Sequence, residues 1–237
     1  MCNHYEKNIE VLQMGLGILG RDSWVMNKDG DAIIPDDLGK LPVHTYPKYQ
    51  APIVVQTEAG RSIALARWGV RVEVKSPRGP SVKYVTNSRD DKLSGFTWRY
   101  CVAERRCLIP ATAYYEPDGP EGAKWEVRYT VNGRVSFFIA GVWDMDPDGL
   151  TRSFSMVTTS PNALAARIHD RMPLVLDDEC ARKWLGHAPL AVEELRTFCR
   201  PFPAEAMSSQ TLPPPERFGK PKIAKADLNN QQGELLL

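Results

Sequence analysis

The sequence predicts an α+β fold: a single domain with a β-rich, mainly antiparallel core and a few short helices around it. Three observations lead there. Strand and hairpin signals dominate the middle of the chain. Strand–helix alternation is too poor for a doubly wound sheet. The helical patterns are short and gather in the last third of the sequence. A length of 237 residues suits one generous domain, with two small domains as the second choice.

The elements follow in order. "EKNIEVLQMGLGIL", residues 6–19, is ambiguous because its glycines weaken a helix. "APIVVQTEAGRSIALARWGV", residues 51–70, reads as two strands around a Glu58-Ala59-Gly60 turn. "KWEVRYTVNGRVSFFIAGVWD", residues 124–144, gives the clearest hairpin signal. Alternating strands flank Asn132-Gly133, the pair favoured where a two-residue turn needs positive φ. "RSFSMVTTS" is a further strand. Ser160-Pro161 then reads as a cap followed by a first-turn proline, opening a short helix over "NALAARI". "LDDECARKWLG" starts a helix at Asp177 or Asp178 and stops it at Gly186, and "AVEELRTFCR" is a short amphipathic helix. From "TLPPPERFGKPK" the chain turns Pro-rich and then polar. The boundaries expected are a folded domain over 1–212 and an extended or disordered tail over 213–237.

Composition narrows the function. No apolar run has the length of a membrane span, and the N-terminus lacks the basic start and apolar stretch of a signal peptide. The five cysteines show no C-x-x-C pair and no zinc spacing with the four histidines. Reduced thiols in a cytoplasmic protein, with no metal and no cofactor, are the simple expectation. The net charge of +1 hides a dipole: residues 61–110 carry eleven Lys/Arg against four Asp/Glu. Such a segment suits an anion such as nucleic-acid backbone, or is a solvated basic face.

Several residues can carry chemistry. Cys2 follows Met1 directly, and aminopeptidases remove methionine ahead of a small residue such as cysteine. An N-terminal cysteine would present an α-amine with a pKa of about 7.7–8.0 beside a thiol of about 8.5. An aldehyde can condense with the amine, and the thiol can then close a five-membered thiazolidine. The alternative is an ordinary cysteine at position 2. Asn87 and Arg89 in "YVTNSRDDK" would project to one side of an extended segment. There an amide can orient a carbonyl or amine and a guanidinium can fork onto phosphate; the same stretch also reads as a surface turn. Glu116 follows two tyrosines in "RRCLIPATAYYEP", where aromatic bulk can raise a carboxyl towards neutrality, unless it lies in water at a strand edge. His169 in "RIHDRMPLVL" stands at a helix-to-loop break and is either a proton donor or a structural histidine. Trp68 in "ARWGV", with Arg67 and Arg71, could stack on a base and track a backbone, or be a core tryptophan.

Taken together and in order, Met-Cys at the start, "RWG", "N-x-R", "RCLIPA…YYE", "AGVWD" and "TT…A…IHDRMPLVL" resemble the SOS-response-associated peptidase (SRAP) family of abasic-site-processing proteins. The matched pieces run from residue 2 to about 185. The resemblance implies a monomer that senses abasic sites on single-stranded DNA. After loss of Met1, Cys2 would form a covalent thiazolidine crosslink with the ring-opened sugar. Asn87 would position the amine or sugar. Glu116 would shuttle protons in crosslinking and in autocatalytic removal of the preceding residue, and His169 would hydrogen-bond the opened sugar. Arg89 would hold a phosphate, Arg67 and Arg171 would lie along the DNA, and Trp68 would be a stacking platform. A cytoplasmic location, at the nucleoid in a bacterium, goes with that role. The chain departs from the family at Asn3-His4-Tyr5, where Gly-Arg and an aromatic or Thr are common, at Asp90-Asp91, and at Pro117 in place of tryptophan. Two other readings remain: a thiol peptidase acting on other proteins through Cys2, His169 and Glu116, and a non-covalent single-stranded-DNA-binding module.

Overall fold

A computed structural model describes residues 2–8, 17–20, 24–28, 32–77, 79–121, 124–186, 188, 190 and 192–213. Among these, strands far outnumber helices, as the sequence predicts. In chain order they are β1 (His4–Glu6), β2 (His44–Thr45), β3 (Gln50–Thr57), β4 (Gly60–Trp68), β5 (Val70–Ser76), β6 (Gly79–Val85) and β7 (Asn87–Arg89). After the helix α1 (Arg99–Glu104) come β8 (Arg106–Ala111), β9 (Ala113–Asp118), β10 (Trp125–Val131), β11 (Phe137–Met145), β12 (Arg152–Thr159), β13 (Met172–Pro173) and β14 (Val175–Leu176). The helices α2 (Asp178–Leu185) and α3 (Val192–Phe198) precede the last strand, β15 (Met207–Thr211).

Two sheets make the core. In the larger, β12, β4, β3, β8 and β11 pair in that order, and β11 pairs back onto β12, so the ladder closes on itself. Most pairings are antiparallel; β12 runs parallel to β4 and to β7. The second sheet has the order β15-β10-β9-β1-β2, all antiparallel.

The closed sheet is buried on both faces, which is why its strands read as unbroken apolar runs and not as alternation. Ile53, Val55, Ile109 and Ile139 pack towards the five-stranded sheet, against Tyr5, Tyr114, Val127 and Tyr129. Val54, Leu108, Phe138 and Ala140 pack on the other face, against Trp184, Leu185 and Phe198 of the C-terminal helices. The five-stranded sheet shows true period-two alternation: Tyr5, Tyr114 and Glu116 turn inward, while His4, Glu6, Tyr115 and Arg128 form a polar outer face.

The β3–β4 hairpin matches its sequence signal, with Thr57 opposite Gly60 and a positive φ at Gly60. The Asn132-Gly133 hairpin does not form. Gly133 does adopt a left-handed φ of 70°, but the turn joins β10 of one sheet to β11 of the other. Both edges of β10 are filled by β9 and β15, and Asn132 is tied by hydrogen bonds to Ala206 and Glu205. The turn residues fixed a local reversal, and competition for strand edges decided the partners. The expected helix over 162–168 shrinks to a 3-10 turn at Ala165–Arg167. Ahead of it Asn162, and not Ser160, supplies the side-chain oxygen: its Oδ1 accepts from the Leu164 and Ala165 amides. Asp177 caps α2 as expected, accepting from the Cys180 amide. The ambiguous segment 6–19 lies mostly outside the described residues, and the expected tail does so from residue 214.

Candidate active site

β1 pairs with β9 and places the start of the chain over the inner face of the five-stranded sheet. Cys2 is 1% exposed and packs in the core with Tyr5 and Tyr114. Its Sγ–H donates to the His4 carbonyl at 3.4 Å. β7 arrives from the closed sheet, and Asn87 Nδ2 donates to the Cys2 carbonyl at 2.8 Å and to Thr86 Oγ1 at 3.1 Å. The other end of that amide, Asn87 Oδ1, is buried with no hydrogen-bond partner among the described residues. A buried acceptor costs stability unless something bonds to it, so this atom is available to a substrate donor.

Glu116 lies on β9, facing inward and 2% exposed. Burial pushes its pKa from 4.5 up to about 7; the N-terminal amine opposes the rise and Asp170 adds to it. Burial also drives the Cys2 thiol well above its usual range, and the Glu116 carboxylate pushes it further. A thiol so placed stays protonated until a nearby base takes its proton. His169 follows the 3-10 turn. Its Nδ1 accepts from the Arg171 amide at 3.0 Å and lies 2.9 Å from Asp170 Oδ1. Burial and then the N-terminal amine lower its pKa, which favours the neutral ring.

The residues expected along a nucleic-acid path fare differently. Trp68 is 0% exposed: its Nε1 donates to the Thr86 carbonyl and its ring stacks on Phe154. It is a core residue and not a stacking platform, because β4 turns it inward beneath the Cys2 neighbourhood. Arg67 is held by Asp146 at 2.7 Å and lies over the Tyr84 ring. Arg171 is 12% exposed in its side chain, bonded to Asp90 at 2.5 Å and to the Thr158 carbonyl. Both guanidiniums are used inside the fold. Arg89 stays half exposed, with its fork on Asp91 at 2.9 Å to each oxygen. Asp90 and Asp91 are therefore partners of Arg171 and Arg89 and not loose acids.

The sequence reading missed the polar cluster on the outer face of β1. His4 is 3% exposed, bonded to Glu126 and to His44, and stacked on Tyr115 and Tyr46. The signal available was period two around "HYE" and "YYEP", which puts His4 and Tyr115 on the face opposite Tyr5 and Glu116. Among the described residues there is no metal-binding cluster of His, Cys, Asp and Glu, and all five cysteines are free. No helix there is long and apolar enough to cross a membrane.

The Cys2 thiol and the Glu116 carboxyl, the latter raised to about 7, lie on the inner side of the five-stranded sheet, and Asn87 of the closed sheet holds the Cys2 carbonyl. The chain belongs to the SOS response associated peptidase (SRAP) family, whose model matches residues 35–214. It is similar to the abasic site processing protein YoqW of Bacillus subtilis, 24% identical over 76% of this chain and 82% of that one. It is also similar to YobE, an abasic site processing protein of the same organism, at 22% identity over 76% of this chain and 84% of that one. A crystal structure of a protein from Bordetella bronchiseptica shares the fold, with a TM-score of 0.67 and 23% identity over 89% of this chain and 99% of that one.

Proposed function

We propose that this protein processes abasic sites in single-stranded DNA by covalent capture, with Cys2 as the nucleophile once Met1 is removed. The observation that carries the reading is the inward Glu116, raised to about 7 and acting electrostatically on the Cys2 thiol. The names of the relatives support the substrate.

The ring-opened abasic sugar presents an aldehyde. The freed α-amine of Cys2 adds to its carbonyl carbon and gives a carbinolamine. Neutral Glu116 donates a proton to the hydroxyl, which leaves as water, and an iminium remains. Glu116, now a carboxylate, takes the proton from the Cys2 thiol. The sulfur bonds to the iminium carbon, the C=N electron pair moves onto the nitrogen, and the thiazolidine closes with Glu116 protonated again. One water is lost overall, and one carboxyl serves both steps because its pKa is near neutrality. Asn87 holds the Cys2 carbonyl and offers Oδ1 to the amine or sugar. His169 donates from Nε2 to the opened sugar. Arg89 exchanges Asp91 for a phosphate. The same Glu116 can assist removal of Met1.

Mixing the Met1-free protein with an abasic single-stranded oligonucleotide and running a denaturing gel tests this. A heat-stable shifted band is expected with wild type, none with Cys2→Ala, and a borohydride-dependent one with Cys2→Ser. Binding without any band would make the protein a non-covalent module. Cleavage of unrelated peptides in its place would make it a protease.

A further inference from the structure

The thiol of Cys2 is cradled by two backbone segments. Its Sγ–H donates to the His4 carbonyl at 3.4 Å, and backbone hydrogen bonds from His4 and Tyr115 offset part of the burial effect on the thiol. The side chains of these same two residues meet on the other face of the sheet, where their rings stack at 4.0 Å across the His4–Tyr115 pair of β1 and β9. Tyr46 covers the second face of His4 at 4.4 Å. Both ring nitrogens are engaged: Nδ1 lies 2.7 Å from Glu126 Oε1 on β10, and Nε2 lies 2.9 Å from Nδ1 of His44 on β2. Glu6, paired to Arg128 and Tyr115, completes the ionisable groups on this face.

With His4 neutral, the contacts assign the proton positions. Glu126 as a carboxylate only accepts, so His4 donates from Nδ1. A neutral His4 then accepts at Nε2 from the Nδ1–H of His44. Burial lowers the His4 pKa, which favours this neutral form. A histidine this buried, satisfied at both nitrogens and stacked on both faces, has one position available to it. Its backbone is the backbone that holds the thiol.

We infer that Glu126, His4 and His44 are positioning residues for Cys2: a clamp on the outer face of the sheet that fixes, through β1 and β9, the peptide groups cradling the thiol on the inner face. This inference rests on the covalent reading for its importance, though its geometry stands apart from DNA. It also explains how position 4 serves the site here without reaching a phosphate: the ring is enclosed and cannot touch DNA.

The test uses full-length protein with Met1 removed, confirmed by intact mass, and two electrophiles. One is an abasic single strand; the other is acetaldehyde, which forms a thiazolidine with an N-terminal cysteine and needs no DNA site. His4→Phe keeps the stacking and removes both hydrogen bonds. It should slow thiazolidine formation about tenfold in both arms, with the half-saturating DNA concentration unchanged. Glu126→Gln should slow both about threefold. His4→Gln, which retains a donor and an acceptor, should recover much of the loss. If His4→Phe fails to fold, Glu126→Gln and His44→Ala, at more exposed positions, carry the same comparison. Wild-type rates in both arms for these variants would overturn the inference. So would a loss confined to the DNA arm with weakened binding, since His4 would then be a DNA contact. A wild-type protein that reacts with acetaldehyde but never with the abasic strand would sink the functional reading, while the acetaldehyde arm still decides the clamp.

Discussion

The proposed reacting centre and the arginines expected along the DNA are built on opposite plans. At the centre, Cys2, Asn87 and Glu116 are removed from water, and the fold leaves their protons and lone pairs poised: a thiol held protonated, a carboxyl near neutrality, a buried amide oxygen without a partner among the described residues. By contrast, Arg67, Arg89 and Arg171 each already hold a carboxylate, from Asp146, Asp91 and Asp90. The first plan raises pKa values by burial, and the second pairs each charge with an opposite one. The arginines divide again by exposure. Arg171 and Arg67 have little solvent and serve the fold, while the Arg89–Asp91 pair is half exposed and weakly held, as the proposed exchange for a phosphate requires.

The largest expected effect falls on the centre. Glu116→Gln keeps the shape and removes the titration, and should slow crosslinking by roughly ten- to ten-thousand-fold. Wild type should show a rate profile that turns near pH 7, and the variant should lose that turn. Stability should respond as well. Glu116 is raised from 4.5 to about 7 in the folded chain, so the folded state keeps a proton that the unfolded chain releases earlier. Wild-type stability from this group is therefore full below about pH 4.5, falls by about 3 kcal/mol as pH rises to 7, and is level above. Denaturant titrations at pH 5 and pH 8 should show Glu116→Gln gaining on wild type at the higher pH; equal differences at both would deny the raised pKa.

Among the arginines, Arg171→Ala removes the charged partner of Asp90, which keeps only Thr159 Oγ1 and the Asp91 amide, and should cost about 3 kcal/mol of stability. A variant as stable as wild type that merely binds DNA less well would move Arg171 back to the DNA path. Arg89→Ala should leave the melting temperature alone and lower the slope of log affinity against log salt by about one. Smallest of all, Asp91→Asn should tighten binding to a single strand a few-fold by freeing the Arg89 fork. Weaker binding in that variant would show Asp91 to be holding Arg89 in its working position.

Much of the centre was legible because its residues sit in short, dense stretches. "YYEP" places a carboxyl beside aromatic bulk, and period two turns Glu116 inward with Tyr114. "N-x-R" in extended backbone puts Asn87 and Arg89 on one side, with Ser88 buried between them. What was hidden depends on distant partners. Nothing near Trp68 shows that Phe154 and Thr86 enclose it, and Arg171 finds Asp90 from 81 residues away. The Asn132-Gly133 turn misled because turn chemistry specifies a reversal but not which sheet each strand joins. β15, in a stretch with little strand character, took the edge of β10. The His4 clamp needs three elements, β1, β2 and β10, that only the folded sheet brings together.

Capture of the aldehyde by an N-terminal Cys2 is decided by mass spectrometry of the purified adduct with an abasic single strand. The expected intact mass is that of the protein without Met1 plus the oligonucleotide less one water. Digestion should place the DNA on the peptide that begins with Cys2, in a form that borohydride does not change. An adduct carrying Met1, or one mapped to a lysine and reducible by borohydride, would contradict it.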